Sequence, residues 1–282
     1  MPTRWFPASL LALVVLAQTA AADTRVTVTP KVARPGDAVL VTVTGSKDMP
    51  KGNAGSASLH FFAAKRGGFQ AVFAVPLDAK PEAIDVEIES AVMPAKVRVK
   101  AVKFPEAKVV VEEEMANPPK ADRDRIDADN KAILDSFSNT GEPQFVKSFV
   151  RPAGKVTSTF GEWRTFNDGH RSQHLGLDVA AREGVKVAAI NSGTVVLVRE
   201  GFLTGNLVVI AHGAGISSAY YHLSKSTVAE GDKVERGAQV GLVGATGRTT
   251  GPHLHLSVRV AGGFVDPAAF LRLKLMPVVP KS

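Results

Sequence analysis

"GRTTGPHLHLSV", Gly247 to Val258, sets two histidines one residue apart behind a Gly-Pro turn, in a chain of 282 residues with only seven histidines. If the stretch runs on as a strand, side chains alternate between faces. Leu254, Leu256, Val258 and Val260 then point one way, and His253, His255, Ser257 and Arg259 the other. The apolar set takes the core, so the pattern predicts a half-buried β-strand and, around it, a β domain. On the open face the two histidine Cα atoms stand roughly 6.8 Å apart, close enough for both rings to converge on one atom or one substrate. Spacing alone leaves three readings open: metal ligands, catalytic groups or ordinary surface residues.

Outward from this strand, residues from about Phe145 to Leu275 are rich in Gly and Val and hold six of the seven histidines. The runs "KVAAI", "GTVVLVREG", "NLVVIAHG", "SSAYYHLS", "AQVGLVG" and "HLHLSVRV" read as strands joined by turns such as "REG", "EGD" and "ATG", with no long helical pattern. The expectation is a compact all-β unit. "AREGVKVAAINSGTVVLV" and "AEGDKVERGAQVGLVGATG" each set a charged, Gly-containing turn before an apolar strand, as a duplicated hairpin unit would.

The first half has a different character. From Asp23 to about Glu112, seven short alternating runs ("RVTVT", "AVLVTVTG", "ASLHFF", "QAVFAVPL", "IDVEI", "KVRVKAV", "KVVV") predict an immunoglobulin-like β-sandwich without a disulfide. His60, alone there, is given no role. Residues 113–144 are charged. Ile126, Ile133, Leu134 and Phe137 recur at helical spacing, which predicts a short amphipathic helix from Asp122 to Phe137 acting as a connector with a solvated face. Its mixed acidic and basic residues argue against nucleic-acid binding. The expected fold is therefore mostly β: an N-terminal sandwich over 23–112, a helical connector, a β domain over 145–275 and a tail over 276–282.

Length and composition frame these units. With 45% hydrophobic residues the chain can build two cores. Its opening stretch carries Arg4, an apolar run from Leu10 to Ala17 and the small residues Ala20, Ala21 and Ala22, which reads as a secretory signal peptide over 1–22. The apolar run is too short for a bilayer span of roughly 20 residues, so an exported chain without stable membrane insertion is expected, periplasmic or extracellular. The formal charge of +7, one less without Arg4, suits polyanionic surroundings such as a bacterial envelope. Cysteine is absent, which excludes disulfides, thiolate nucleophiles and thiolate metal sites. Any metal must use His, Asp or Glu.

"HRSQHLGLDVAA" offers His174 and Asp178, and "GPHLHLSV" offers His253 and His255: three imidazoles and a carboxylate from two distant segments, an inventory that suits zinc. "SSAYYHLS" adds His222. "TSTFGEWR", "HLGLD", "GNLVVIAHG", "YYHLS" and "GRTTGPHLH", in this order from roughly Phe149 to Leu271, resemble the lysostaphin-type, or LytM-like, zinc endopeptidases of peptidoglycan. The resemblance implies one Zn2+ per chain held by His174, Asp178 and His255, with His222 and His253 as catalytic histidines. It also implies hydrolysis of peptide bonds in peptidoglycan cross-links or stem peptides. Members that serve only as activators lack some of these residues, whereas all five are present here. Two departures stand out: Tyr221 precedes His222 where a smaller residue is common, and His170 adds an imidazole near His174. His170 and His212 are expected to be non-ligands. The competing expectation is a non-catalytic envelope module that binds peptidoglycan or activates another hydrolase. The N-terminal sandwich would be free to meet an envelope partner, or to fold back over the groove and inhibit it.

Overall fold

The strand His253–Val260 forms where its alternation predicts, with Leu254, Leu256, Val258 and Val260 buried. It lies antiparallel between Leu177–Ala180 and Ile216–Ser226 in a ten-stranded sheet that continues through Gly205–Gly213 and Gly193–Gly201. The computed structural model describes residues 24–138 and 140–278, so the expected signal peptide lies outside the described residues. Ser257 departs from the open-face expectation. It is buried, because the chain at Leu175 crosses above it and its carbonyl accepts a 2.8 Å hydrogen bond from Ser257 Oγ. The two Gly-turn phrases meet in space, since Lys186–Ala188 pairs antiparallel with Gln239–Val243.

Two sheets enclose one core in the N-terminal part. Arg25–Thr29, Ala38–Thr44, Phe69–Ala74 and Phe62–Ala63 form the first, while Ala95–Val99, Ala83–Ile88 and Gly52–Ala54 are central to the second. Val39, Val41, Val43 and Phe73 meet Val86, Ile88 and Val97 between them. "AVLV" is apolar without alternation because the strand is covered on both faces. Ala38 and Leu40, with Phe62 and Val72, pack instead on Phe145, Phe149 and Phe270 of the C-terminal unit. They belong to the same cluster as Leu254, Leu256, Val258 and Val260, the face of the central strand turned away from His253 and His255.

Two of the seven expected runs behave otherwise. "ASLHFF" breaks into Ala57–Ser58 and Phe62–Ala63, one in each sheet. "KVVV" contributes the strand Glu106–Val109, which leaves the N-terminal sheets and pairs parallel with Trp163–Phe166. Pro105 anchors the crossing, its carbonyl accepting from the Trp163 N–H at 2.8 Å.

The helix runs from Lys120 to Ser136; most of its charges, among them Asp124, Arg125, Asp127 and Lys131, are exposed as expected, while one face is packed. Ile133 and Phe137 bury against Leu207, Val209, Ala219 and Tyr221 of the sheet. Asp129, expected on a solvated face, is only 3% exposed: it accepts from Arg199 Nε at 2.6 Å and from the Phe202 N–H at 2.8 Å. Apolar spacing locates a buried stripe but cannot reveal that a carboxylate within it has found a cation.

His212 is a fully buried residue of the strand Gly205–Gly213. Its Nδ1 donates to the Ser192 carbonyl at 2.8 Å, and its Nε2 lies 2.8 Å from Ser218 Oγ. Burial lowers its pKa from 6.5 to about 4. A folded pKa below the unfolded value means that the unfolded chain binds the proton more tightly, so the stabilisation is present above pH 6.5 and is lost as pH falls toward 4. The expected loss across that window is about 3 kcal/mol. Denaturant melts of wild type and His212→Gln at pH 7 and pH 4.5 check it, with a shallower pH dependence expected in the variant.

Candidate active site

The central strand and its two neighbours bring four polar side chains to one face. Asp178 lies directly across from His255, Ala180 from His253, and Tyr221 from His255 on the other side. Leu177 and Val179 turn to the core, so alternation alone sends Asp178 to the histidine face. His174 arrives from the turn that precedes this strand.

His222 needs a special device. Strict alternation would place it on the core side with Tyr220. Instead the register slips between Asn206↔Leu223 and Val208↔Tyr220, so that both Tyr221 and His222 stand opposite Leu207. His222 absorbs the bulge with φ of 60°, in the left-handed region, and its N–H donates to the Thr204 carbonyl at 3.1 Å. Its ring centroid then lies 5.0 Å from that of His253 and 6.0 Å from that of His255.

Hydrogen bonds assign the tautomers. His174 Nδ1 donates to the Thr159 carbonyl at 2.9 Å, which leaves Nε2 unprotonated in the neutral ring. Ser257 Oγ is committed as a donor to Leu175 and so accepts from His255 Nε2 at 3.0 Å, which leaves His255 Nδ1 unprotonated. These two nitrogens are 2.8 Å apart and lie 3.0 and 2.8 Å from Asp178 Oδ1. Three lone-pair donors thus face one another with no proton between them. Such a group is stable around a cation, and two imidazoles with a carboxylate suit zinc. The second Asp178 oxygen accepts from Arg164 Nη2 at 2.6 Å.

The other two histidines also present a free nitrogen. His222 Nδ1 donates to the Thr246 carbonyl at 2.9 Å, and His253 Nδ1 to the Gly251 carbonyl at 2.8 Å. In the neutral form of either ring this bond puts the proton on Nδ1 and leaves Nε2 as the lone pair, and the Nε2 of His253 is 3.6 Å from Asp178 Oδ1. Burial, reinforced by His255 and His253, lowers the His222 pKa to about 3, and burial lowers that of His255 to about 4, so both rings are neutral at pH 7. Burial by itself would raise the Asp178 carboxyl; with a proton on the facing nitrogens of His174 and His255 it is held well below the usual carboxylate range, a role that a cation takes over when those nitrogens are unprotonated. The group opens on a groove of about 920 Å³ that His222, His253, Arg164, Arg248 and Leu134 help to line.

All five residues singled out in the sequence therefore meet in one place. His170 does not join them and stacks on Phe166 at 6.3 Å. Tyr221, the bulky neighbour of His222, packs edge-on against the His255 ring at 5.1 Å. Sequence reasoning overlooked Arg164 and the carbonyls of Thr159, Thr246 and Gly251. Arg164 had a signal, as the terminal residue of "TSTFGEWR"; backbone acceptors have none.

Gly176 tightens the group. A Cβ there would overlap the His255 ring and lie 2.7 Å from the Leu256 carbonyl oxygen. Gly176→Ala is expected to displace His255 and weaken zinc binding by about 10- to 100-fold, readable by competition with a chromogenic chelator.

The chain matches Peptidase family M23 over residues 172–267. It is 44% identical over 109 residues to the peptidoglycan DD-endopeptidase ShyA of Vibrio cholerae, covering 39% of this chain and 25% of that protein. It is 34% identical over 144 residues to the DD-carboxypeptidase/endopeptidase Mpg of Neisseria meningitidis, covering 51% of this chain and 31% of that one. These matches span only a quarter to a third of the relatives' length. A solved structure from Pseudomonas aeruginosa assigned to peptidase M23 covers 84% of this chain and 93% of its own, at 27% identity and a TM-score of 0.62. Peptidases of this family are zinc-dependent, in keeping with the donor set of His174, Asp178 and His255. Residues 172–267 are a Peptidase family M23 domain of the lysostaphin type.

Proposed function

We propose that this chain is an exported zinc metalloendopeptidase that hydrolyses peptide bonds in bacterial peptidoglycan. The observation that carries the reading is the convergence, in one groove, of three facing lone-pair donors with two further imidazoles whose Nδ1 atoms are spent on backbone carbonyls. The likeness to proteins named peptidoglycan DD-endopeptidases supports the substrate class. Among the described residues no helix is long and apolar enough to cross a membrane. Export rests on the leader and on a substrate that lies in the cell wall.

His174 Nε2, His255 Nδ1 and Asp178 Oδ1 would hold the ion. When bound, zinc polarises the scissile carbonyl and lowers the pKa of a water to about 7. Arg164 donates to Asp178 Oδ2 and so fixes the plane of the carboxylate, with Oδ1 facing the imidazoles. His222 and His253 divide the proton work. One accepts the proton of the attacking water at its unprotonated Nε2, while the other, in its imidazolium form with both nitrogens protonated, donates from Nε2 to the oxyanion or the leaving nitrogen. Their Nδ1 bonds to Thr246 and Gly251 hold both rings in the orientation that this requires.

Zymography tests the reading. The purified chain is expected to clear a gel containing peptidoglycan, to lose that activity to a chelator, and to leave casein intact. Digestion of casein alone would remove the peptidoglycan assignment, and binding without clearing would favour a non-catalytic envelope module.

A further inference from the structure

We infer that Arg248 forms a carboxylate-binding subsite of the groove, one that grips an ionised carboxyl group of the peptide being cut; the inference rests on the hydrolase reading above. Arg248 shares the groove with His222 and His253. Its guanidinium carbon lies 4.2 Å over the Phe166 ring, and its backbone N–H is tied to the Leu203 carbonyl at 2.8 Å. The side chain is therefore held at root and tip.

Yet among the described residues the Arg248 guanidinium has no hydrogen-bond or ion-pair partner. The charged groups around it do not supply one. Arg164 repels it and is itself committed to Asp178, Glu162 and Ser158. Asp168 attracts it only at a distance and accepts instead from the His170 N–H at 2.9 Å. Lys108, which also lines the groove, adds positive charge.

A guanidinium drawn out of water with no anion is costly, and the ring beneath it replaces only part of its solvation. The contact with the Phe166 ring restrains the guanidinium at the groove wall and spends none of its N–H donors on a hydrogen bond. A planar fork in that setting matches a carboxylate bidentately, which a lysine at the same place could not do. Cross-linked stem peptides carry ionised side-chain and terminal carboxyl groups, and among the described residues lining the groove the other Lys and Arg side chains are Arg164, already spent on Asp178, and Lys108.

The test uses the full chain and two probes: a cross-linked stem-peptide dimer with free carboxylates, and the same dimer fully amidated. Wild type is expected to cut the free form with a kcat/KM about 10- to 100-fold higher, mostly through KM. In Arg248→Gln the ratio should collapse toward one, and in Arg248→Lys it should lie between the two. An equal rate on both dimers by wild type, or an unchanged ratio in Arg248→Gln, overturns the subsite alone. Failure of wild type to cut either dimer overturns the hydrolase reading and the subsite with it.

Discussion

His255→Ala is expected to leave the protein without stoichiometric zinc and without measurable peptidoglycan hydrolysis, whereas His253→Ala should keep its zinc and lose activity by about 100-fold or more. The two residues share one strand face and stand one pleat apart, but their nitrogens are used differently. His255 Nε2 is spent on Ser257, and its Nδ1 faces His174 and Asp178 at 2.8 Å. Its loss removes one of three donors from a site that has no thiolate to fall back on. His253 Nδ1 is spent on Gly251, and its Nε2 stands off at 3.6 Å from Asp178, beside His222. Its loss leaves the three donors in place and removes a proton carrier. Metal analysis of both folded variants by mass spectrometry, with hydrolysis rates, reads the difference. Loss of zinc from His253→Ala with retention in His255→Ala would reverse the two roles.

Removing residues before 145 is expected to lower specific activity and thermal stability, the opposite of what release from self-inhibition would give. The helix Lys120–Ser136 covers Leu207, Val209, Ala219 and Tyr221, and the shortened chain would expose that face. The N-terminal sheets are joined through the apolar cluster on the far side of the central strand, and of the first unit Lys108, Val109, Val110 and Val111 line the groove. Asp129 links the helix to the groove. It holds Arg199 and the Phe202 N–H, and the loop it anchors carries Leu203, whose carbonyl holds the Arg248 N–H, and Thr204, whose carbonyl holds the His222 N–H. Asp129→Ala alone should cost about 1 to 3 kcal/mol, since Arg199 is partly exposed and can rehydrate. Its kcat should fall roughly 10-fold as the support of His222 loosens. Asp129→Glu, which keeps the charge, should recover more kcat than Asp129→Asn. Higher activity of the fragment 145–282 than of the chain from residue 24 would restore the inhibitory role.

What the sequence made legible follows from periodicity and residue inventory. Alternation in "HLHLSVRV" separates Leu254 and Leu256 from His253 and His255, and the absence of cysteine confines any metal to His, Asp and Glu. Periodicity fails where the backbone breaks it. Under strict alternation His222 belongs with the buried Tyr220, and only a bulge set by non-local pairing with Gly205–Gly213 returns it to the groove. Single-residue inventory likewise cannot see partners. Asp129 reads as one of many connector charges until Arg199 meets it, and the strand Glu106–Val109 reads as part of the first unit until Trp163 pairs beside it. Both depend on contacts between segments far apart in the chain.

Titration of zinc into the metal-stripped full chain, with soluble product released from peptidoglycan followed at each addition, tests metal-dependent hydrolysis most directly. The expected result is no release from the stripped protein and a linear recovery that ends at one zinc per chain. Undiminished release by the metal-free protein, or none at full zinc occupancy, would contradict it.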